Sequence, residues 1–352
     1  MAIQKWSVDA YNQNQKYQIT IDVRSPAEFE HAHIPGAFSL PLFDNEQRAV
    51  VGTTYKKQSR ENAIKIALPM FGDKMLHMVN QVETWVKVFS EQHNGNKPTL
   101  VVHCWRGGMR SAAVAWLLDL YGFKVAQLIG GYKAYRNWVI AHFEMPYTIK
   151  VIGGYTGSGK TEILKALQEK GETIIDLEGL AHHKGSSFGA LGQPKQPSQE
   201  MFENILGIAL SKINANKNTI WIEDESQRIG TVMIPNSFFK LIRNSTCYFL
   251  EIPFNERLAF IVTNYGNFDT SDLIAATTRI QKRLGGLETK NAIQYLEVGE
   301  TTAAFEILLK YYDKWYDKFS KQSAEPTLAL VKLTVNKVDA AENANFLLAL
   351  NK

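Results

Sequence analysis

The sequence predicts an α/β protein built as two domains. Three observations carry this. The chain of 352 residues is longer than one ordinary domain needs. Short apolar runs alternate with stretches of helical periodicity, the pattern of a parallel sheet with crossover helices. That alternation starts afresh at "YTIKVIGGYTGSGKTEILKALQEKG" after the loop-like "HFEMPY". The boundary is therefore expected near residues 142–147, with domains at 1–145 and 146–352.

In the first domain, "YQITIDVRS" reads as a strand ending at Asp22, because Ile19, Ile21 and Val23 alternate. Ser25 can cap a following helix with Pro26 at its first position. "HIPGAFSLPL" reads as a turn and a short strand. Leu76, Val79, Val82, Val86 and Phe89 recur at helical spacing, and "NGNKP" ends that helix. "TLVVHC" is a buried strand, "SAAVAWLLDLYG" a helix stopped by Gly122, and "KVAQLIGGYKAYRNWV" a strand, a glycine turn and a helix.

In the second domain, strands are expected at "TIKVIGG", "ETIIDLE", "NTIWIED" and "STCYFLEIP". After Pro253 the pattern turns helical. Phe305, Leu308, Leu309, Tyr312, Trp315, Tyr316 and Phe319 form one stripe, which reads as core. "TLALVKLTVNK" reads as a last strand before a short closing helix.

Composition narrows the class. Hydrophobic residues make up 45% and charged residues 21%, the balance of an ordinary globular protein. No apolar run reaches the ~18 residues of a membrane span, and the start lacks a signal-peptide core. Two cysteines make no disulfide framework. A reducing cytoplasm and free thiols are the simplest expectation. The net charge of +4 permits an anionic partner, met on a folded surface rather than a basic tail.

Two loops carry the chemistry. The first is "HCWRGGMRS", where a buried strand gives way to a helix. Its amides and the helix N-terminus can face an anion, and Arg106 and Arg110 add full charge. Gly107 and Gly108 permit a tight cradle. This setting is expected to lower the pKa of Cys104 and make it a nucleophile, with Trp105, Met109 and Ser111 completing the loop. Cys247 alternates within an apolar strand and reads as inert core.

The second loop is "GYTGSGKT". It fits G-x-x-x-x-G-K-[ST] between a strand and a helix, the context of a phosphate-binding P-loop. Gly154, Thr156, Gly157, Ser158, Gly159, Lys160 and Thr161 are the expected phosphate ligands, and Thr161 can ligate Mg2+. Asp224 or Glu225, ending "NTIWIEDES", is the expected acidic partner. "DLEG" and "NKVD" also match GTPase patterns. Only 15 residues separate Lys160 from Asp176, and "NKVD" ends 13 residues before the last residue, so the spacing disfavours that reading.

"IDVRSPAEFEHAHIPGA", the cysteine loop and "LIGGYKAYRNW" resemble a rhodanese domain, whose cysteine carries a chalcogen. In that resemblance Asp22 and Arg24 brace the fold near the loop. Five residues, 105–109, separate Cys104 from Arg110, one more than in the usual sulfurtransferase loop. The longer loop is similar to that of rhodanese-like phosphatases and favours a phosphate-like donor.

"VGTTYKKQSRENAIKIALP", "DLEGLAHHKGSSFGALGQPKQPSQEMFENIL" and "WIEDESQRIG" closely resemble the tRNA 2-selenouridine synthase family, over most of the chain and least after about residue 290. The resemblance implies an enzyme that replaces the sulfur of wobble 2-thiouridine in tRNA with selenium. Geranyl diphosphate would first alkylate the sulfur, and selenophosphate would then supply selenium. It implies no firmly bound cofactor, with Mg2+ as an option. Cys104 would act in selenium transfer, and the P-loop would hold the diphosphate.

In the polar "HHKGSSFGALGQPKQPSQE", His182, His183, Lys184, Ser186, Ser187 and Gln199 are candidate contacts to tRNA or diphosphate. Arg228, Arg243, Arg257, Arg279 and Arg283 are candidates for RNA phosphates. Adjacent histidines without cysteines make a poor zinc site, so no structural metal is expected. Two rival readings stay open: a phosphatase- or sulfurtransferase-like enzyme fused to an ATP- or GTP-dependent regulatory P-loop domain, and a non-catalytic sensor.

Overall fold

The computed structural model describes residues 3–322 and 329–350, with side chains described to 317 and again from 329. The Phe319 side chain and the first two residues of "TLALVKLTVNK" lie outside the described residues. The chain divides into two compact units, Met1–Ala141 and His142–Lys352.

The first unit is built on five parallel strands: β1 (Gln4–Trp6), β2 (Gln18–Asp22), β3 (Phe38–Ser39), β4 (Thr99–His103) and β5 (Val125–Leu128). Their order is β1-β5-β4-β2-β3. β4 is buried along its whole length. From β2 the chain builds outward to β3, whereas from β4 it builds the other way to β5. The reversal opens a crevice beyond the ends of β2 and β4, where α/β sheets place ligands. Helix Pro26–His31 follows β2 and carries the expected cap, with Ser25 and Glu28 closing a capping box.

Val79 and Val82 of helix Met75–Gln92 join the core beside Val102, Val114 and Leu118. Leu76, expected on that face, is 72% exposed, so the buried stripe starts two residues later, at Met78. Helices Asn45–Lys57 and Arg60–Gly72 and the edge strand β1 were not expected as separate elements. β1 has only three residues, mostly exposed, and alternation cannot be read over so short a run.

Asp22 and Arg24 form a buried pair, with Arg24 Nη2 2.6 Å from Asp22 Oδ2. Arg24 also lies 4.0 Å over the Tyr132 ring. Burial works against the Asp22 charge, but His103 and Arg24 outweigh it and hold the carboxyl below its usual range. His103 is fully buried, and among the described residues its ring nitrogens have no partner within hydrogen-bonding geometry. Burial depresses its pKa despite Asp22 3.8 Å away. The unfolded chain takes up a proton near pH ~6.5 that this ring refuses, so stability falls as pH drops through that value. The melting midpoint is expected to fall between pH ~7.5 and ~5.5. The fall should shrink in His103→Gln, and an unchanged fall would count against this origin.

The second unit has a sheet of β6 (Thr148–Gly154), β7 (Thr173–Ile175), β8 (Thr219–Glu223), β11 (Thr246–Glu251) and β12 (Ala329–Thr334). The short hairpin β9 (Arg228–Ile229) and β10 (Val232–Met233) stands apart from it. The sheet is parallel, ordered β12-β11-β6-β8-β7. Helix Lys160–Glu169 buries Ile163, Leu164 and Leu167 against Ile152, Trp221 and Leu250. A second core joins Phe188 to Ile261, Leu273, Phe305, Leu308 and Leu309 of the helical part after residue 253.

Candidate active sites

β4 delivers Cys104 to the crevice, and helix Met109–Tyr121 starts directly after Gly108. The first amides of that helix and its dipole therefore belong to the loop. Cys104 is 4% exposed, and its Sγ lies 3.3 Å from the Ser111 hydroxyl oxygen. Buried Gln127 bolts the loop in place. It donates to Ser111 Oγ at 2.7 Å and to the Gly107 carbonyl at 2.9 Å, and it accepts from Lys5 Nζ.

The other side of the loop is fixed by the next helix. Tyr132 N–H donates to the Cys104 carbonyl and Lys133 N–H to the Trp105 carbonyl, both at 2.9 Å. Gly131, at φ +58°, is what allows this approach: a Cβ there would sit 2.3 Å from the Cys104 carbonyl oxygen. Trp105 and Met109 are exposed, and Trp105 leans on Tyr132 with ring centroids 5.7 Å apart.

The structure adds a partner to this loop: Arg110 Nη1 is 2.9 Å from Glu28 Oε2. Glu28 is also the capping-box residue and has Arg48 at 3.4 Å. Burial pushes its carboxyl up, but Arg110, the Ser25 N–H and Arg48 prevail and keep it below the usual range. An anion entering the loop competes with Glu28 for Arg110. Arg106 is exposed.

In the second unit Gly154, Thr156, Gly157, Ser158, Gly159, Lys160 and Thr161 all line one cavity of about 360 Å³. Lys160 Nζ folds back to the Gly154 carbonyl at 3.2 Å, and Ser158 donates to the Tyr155 carbonyl at 2.6 Å. Gly159 holds φ +68°, and a Cβ there would meet Val338 at 2.8 Å. Arg257 fixes the loop from behind. It is 3% exposed, donates to the Thr156 carbonyl at 3.0 Å and pairs with Asp313 through both Nη atoms at 2.9 and 2.7 Å. Its candidacy for RNA is thereby corrected: the side chain is a structural strut.

Asp224 and Glu225 both line this cavity, and two further carboxylates lie closer to Thr161. β8 ends at Glu223, and Thr161 Oγ1 lies 3.3 Å from Glu223 and 3.1 Å from Glu178. Glu223 further accepts the Glu178 N–H at 2.9 Å. Asp224, one of the two expected residues, is held there by Arg243 at 2.6 Å and by the Tyr316 hydroxyl at 2.7 Å. Glu225, the other, lines the cavity near Glu178. Burial and then mutual repulsion push Glu223 and Glu225 well above the usual carboxylate range; Glu178 is raised by burial despite Lys160. The sequence points to neither Glu178 nor Glu223, because "DLEG" draws attention to Asp176 and the strand was expected to run further.

Both GTPase-like patterns resolve into helix caps. Asp176 accepts the Gly179 N–H at 2.7 Å to start helix Leu177–Ala181. Asp339 accepts the Glu342 N–H at 2.9 Å to start helix Ala340–Ala349. Cys247 is fully buried and its thiol is pushed up by burial.

The apolar stripe of helix Thr301–Gln322 is core at Phe305, Leu308 and Leu309 and has a second role. Phe305, Leu308 and Leu309 are buried, and with Tyr312 and Tyr316 they also line the cavity that holds the phosphate loop. Phe188, Phe260, Ile261 and Tyr265 extend that wall. Trp315 lies on another face, in a groove with Tyr311.

The candidate contacts in the polar loop separate. Lys184 and Ser186 line the cavity, with Lys184 Nζ 5.3 Å over the Tyr265 ring. Ser187 donates to the Ala276 carbonyl at 2.7 Å. Gln199 exchanges hydrogen bonds with the Met233 backbone at 2.8 and 2.7 Å. Arg228 donates to the Gly230 carbonyl at 2.9 Å, and Arg279 to the Ser187 carbonyl at 2.8 Å. His182 contacts the Lys195 carbonyl at 3.1 Å, and the buried His183 Nδ1 has no hydrogen-bond partner among the described residues.

Residues 7–137 match the rhodanese-like domain family, and residues 147–342 match the "tRNA 2-selenouridine synthase AAA domain" family. Curated relatives carry the name tRNA 2-selenouridine synthase. That of Hydrogenovibrio crunogenus is 35% identical over 84% of this chain and 88% of its own length. That of Nitrosomonas europaea is 39% identical over 70% of this chain and 63% of its own. That of Sulfurovum sp. is 33% identical over 88% of this chain and 90% of its own. A chain that joins a rhodanese-like domain to this AAA domain, and aligns with such synthases over most of its length, belongs to the tRNA 2-selenouridine synthase family.

Proposed function

We propose that this protein modifies tRNA by converting wobble 2-thiouridine to 2-selenouridine in two steps, S-geranylation and then selenium exchange. One observation supports the reading most: a single cavity joins a phosphate loop to a wall of aromatic and aliphatic side chains. A nucleotide needs the first half. A prenyl diphosphate needs both, and Phe260, Phe305, Leu308, Leu309 and Tyr316 are suited to a geranyl chain.

In the first step the base sulfur attacks C1 of geranyl diphosphate, the C1–O bond breaks and pyrophosphate leaves. The P-loop amides and Lys160 stabilise the departing charge. The neutral S-alkyl base forms only when N3 loses its proton, and Glu178 and Glu225, two of the carboxylates lining that cavity, receive it in this reading. The hard oxygens of Thr161 and Glu223 suit Mg2+ shared with a diphosphate. Such an ion would supply added charge for the leaving group.

Alkylation turns a poor leaving group into a good one. In the second step selenium from selenophosphate reaches C2 and geranyl thiol departs. The sum consumes one selenophosphate and one water, and releases geranyl thiol and inorganic phosphate. The loop 104–111 binds the selenophosphate oxygens through Arg106, the helix amides and Arg110 drawn from Glu28. Cys104 relays the selenium or assists its transfer.

Binding measurements test the first half. Each buried chain carbon is worth about 0.8 kcal/mol, so four of them suffice for about a hundredfold. Geranyl diphosphate is expected to bind at least about a hundredfold more tightly than inorganic pyrophosphate. Equal affinities, or tight binding and turnover of ATP or GTP, would favour the regulatory-nucleotide reading.

A further inference from the structure

Helix Thr301–Gln322 works on two faces. Residues 305, 308, 309, 312 and 316 line the prenyl cavity described above. Residues 307, 310, 311, 314 and 315 line a separate groove of about 460 Å³, closed on its far side by Arg283, Leu284 and Glu288. The Arg283 guanidinium lies 5.4 Å over the Trp315 ring, and Tyr311 meets Trp315 edge-on at 6.3 Å. Lys310 and Lys314 are exposed along the rim. Lys310 pairs with Glu306, a surface pair that exchanges readily with another anion.

We infer that this groove is an RNA-binding platform that holds unstacked nucleotides of the tRNA against the outer face of the helix. Three cations and one carboxylate line it, so its charge complements a phosphate backbone. A cation-stacked indole beside a phenol offers flat surfaces on which bases of any identity stack. An acidic peptide would use the lysines but leave the rings without stacking partners. The platform borders the helix that walls the alkylation cavity, so RNA held there lies along the same structural element. The inference rests on the tRNA-modifying reading above and goes further by locating a contact surface.

The test is the affinity of the full chain for an unmodified tRNA transcript, measured at several salt concentrations. Trp315→Ala is expected to weaken binding about tenfold with little change in salt slope, and Trp315→Phe to restore most of it. Lys314→Ala is expected to lower the salt slope by about one unit. Geranyl diphosphate affinity should stay unchanged in Lys314→Ala and Trp315→Phe, which shows that the fold is kept. If the wild type binds tRNA and all three variants match it in affinity and slope, the groove is not the platform, while the proposed function stands. If the wild type itself has no affinity for tRNA, the proposed function fails and takes this inference with it.

Discussion

Cys104→Ala, supplied with thiolated tRNA, geranyl diphosphate and selenophosphate, is expected to accumulate S-geranyl-2-thiouridine. Its 2-selenouridine should fall at least about a thousandfold, the scale on which removing a reacting side chain acts. The reasoning is local. The sulfur lies 3.3 Å from Ser111 in a loop held by Gln127, Tyr132 and Lys133. Those backbone and Ser111 contacts do not depend on the thiol for their geometry, so the substitution removes the sulfur and leaves the cradle. Nucleoside mass spectrometry after digestion reads both products. Loss of the geranyl product with selenation retained would reverse the assignment of the two loops.

Lys160→Ala is expected to slow S-geranylation by about 10²–10³-fold, the usual effect of removing one preorganised charge from a departing oxyanion. Lys160 is the cation at the head of helix Lys160–Glu169, next to Thr161 and the Glu178–Glu223 pair. Its removal leaves those carboxylates facing a diphosphate with less to offset them. The loss should therefore show in both the affinity for geranyl diphosphate and the rate of transfer. An unaltered geranylation rate would separate the P-loop from the alkylation step.

Much of this was legible in the residues because it is written contiguously. The P-loop needs glycines, a lysine and a hydroxyl at set spacing between a strand and a helix, and all of them lie in one cavity. Ser25 and Pro26 announce a helix start because cap and first helical position are adjacent in the chain, and in the structure Glu28 completes a capping box there. Gly122 ends its helix in the left-handed conformation for the same local reason.

What stayed hidden depends on contacts between distant segments. Glu223 takes its role from where β8 stops, and strand ends are not written in alternation. Arg257 reads as one more surface arginine until Asp313 and the Thr156 carbonyl meet it. The stripe of helix Thr301–Gln322 has the periodicity of a core face whether it packs against protein or borders a ligand cavity. Gln127, in the middle of an apolar strand, gives no hint that it anchors the thiol loop.

The account's central claim is that alkylation and selenium exchange belong to different loops. Lys160→Ala given tRNA that already carries S-geranyl-2-thiouridine, with selenophosphate and no geranyl diphosphate, tests it most directly. The expected result is 2-selenouridine formed at a rate close to that of the wild type. A Lys160→Ala enzyme as inactive on this tRNA as on the thiolated one, while still folded, would contradict it.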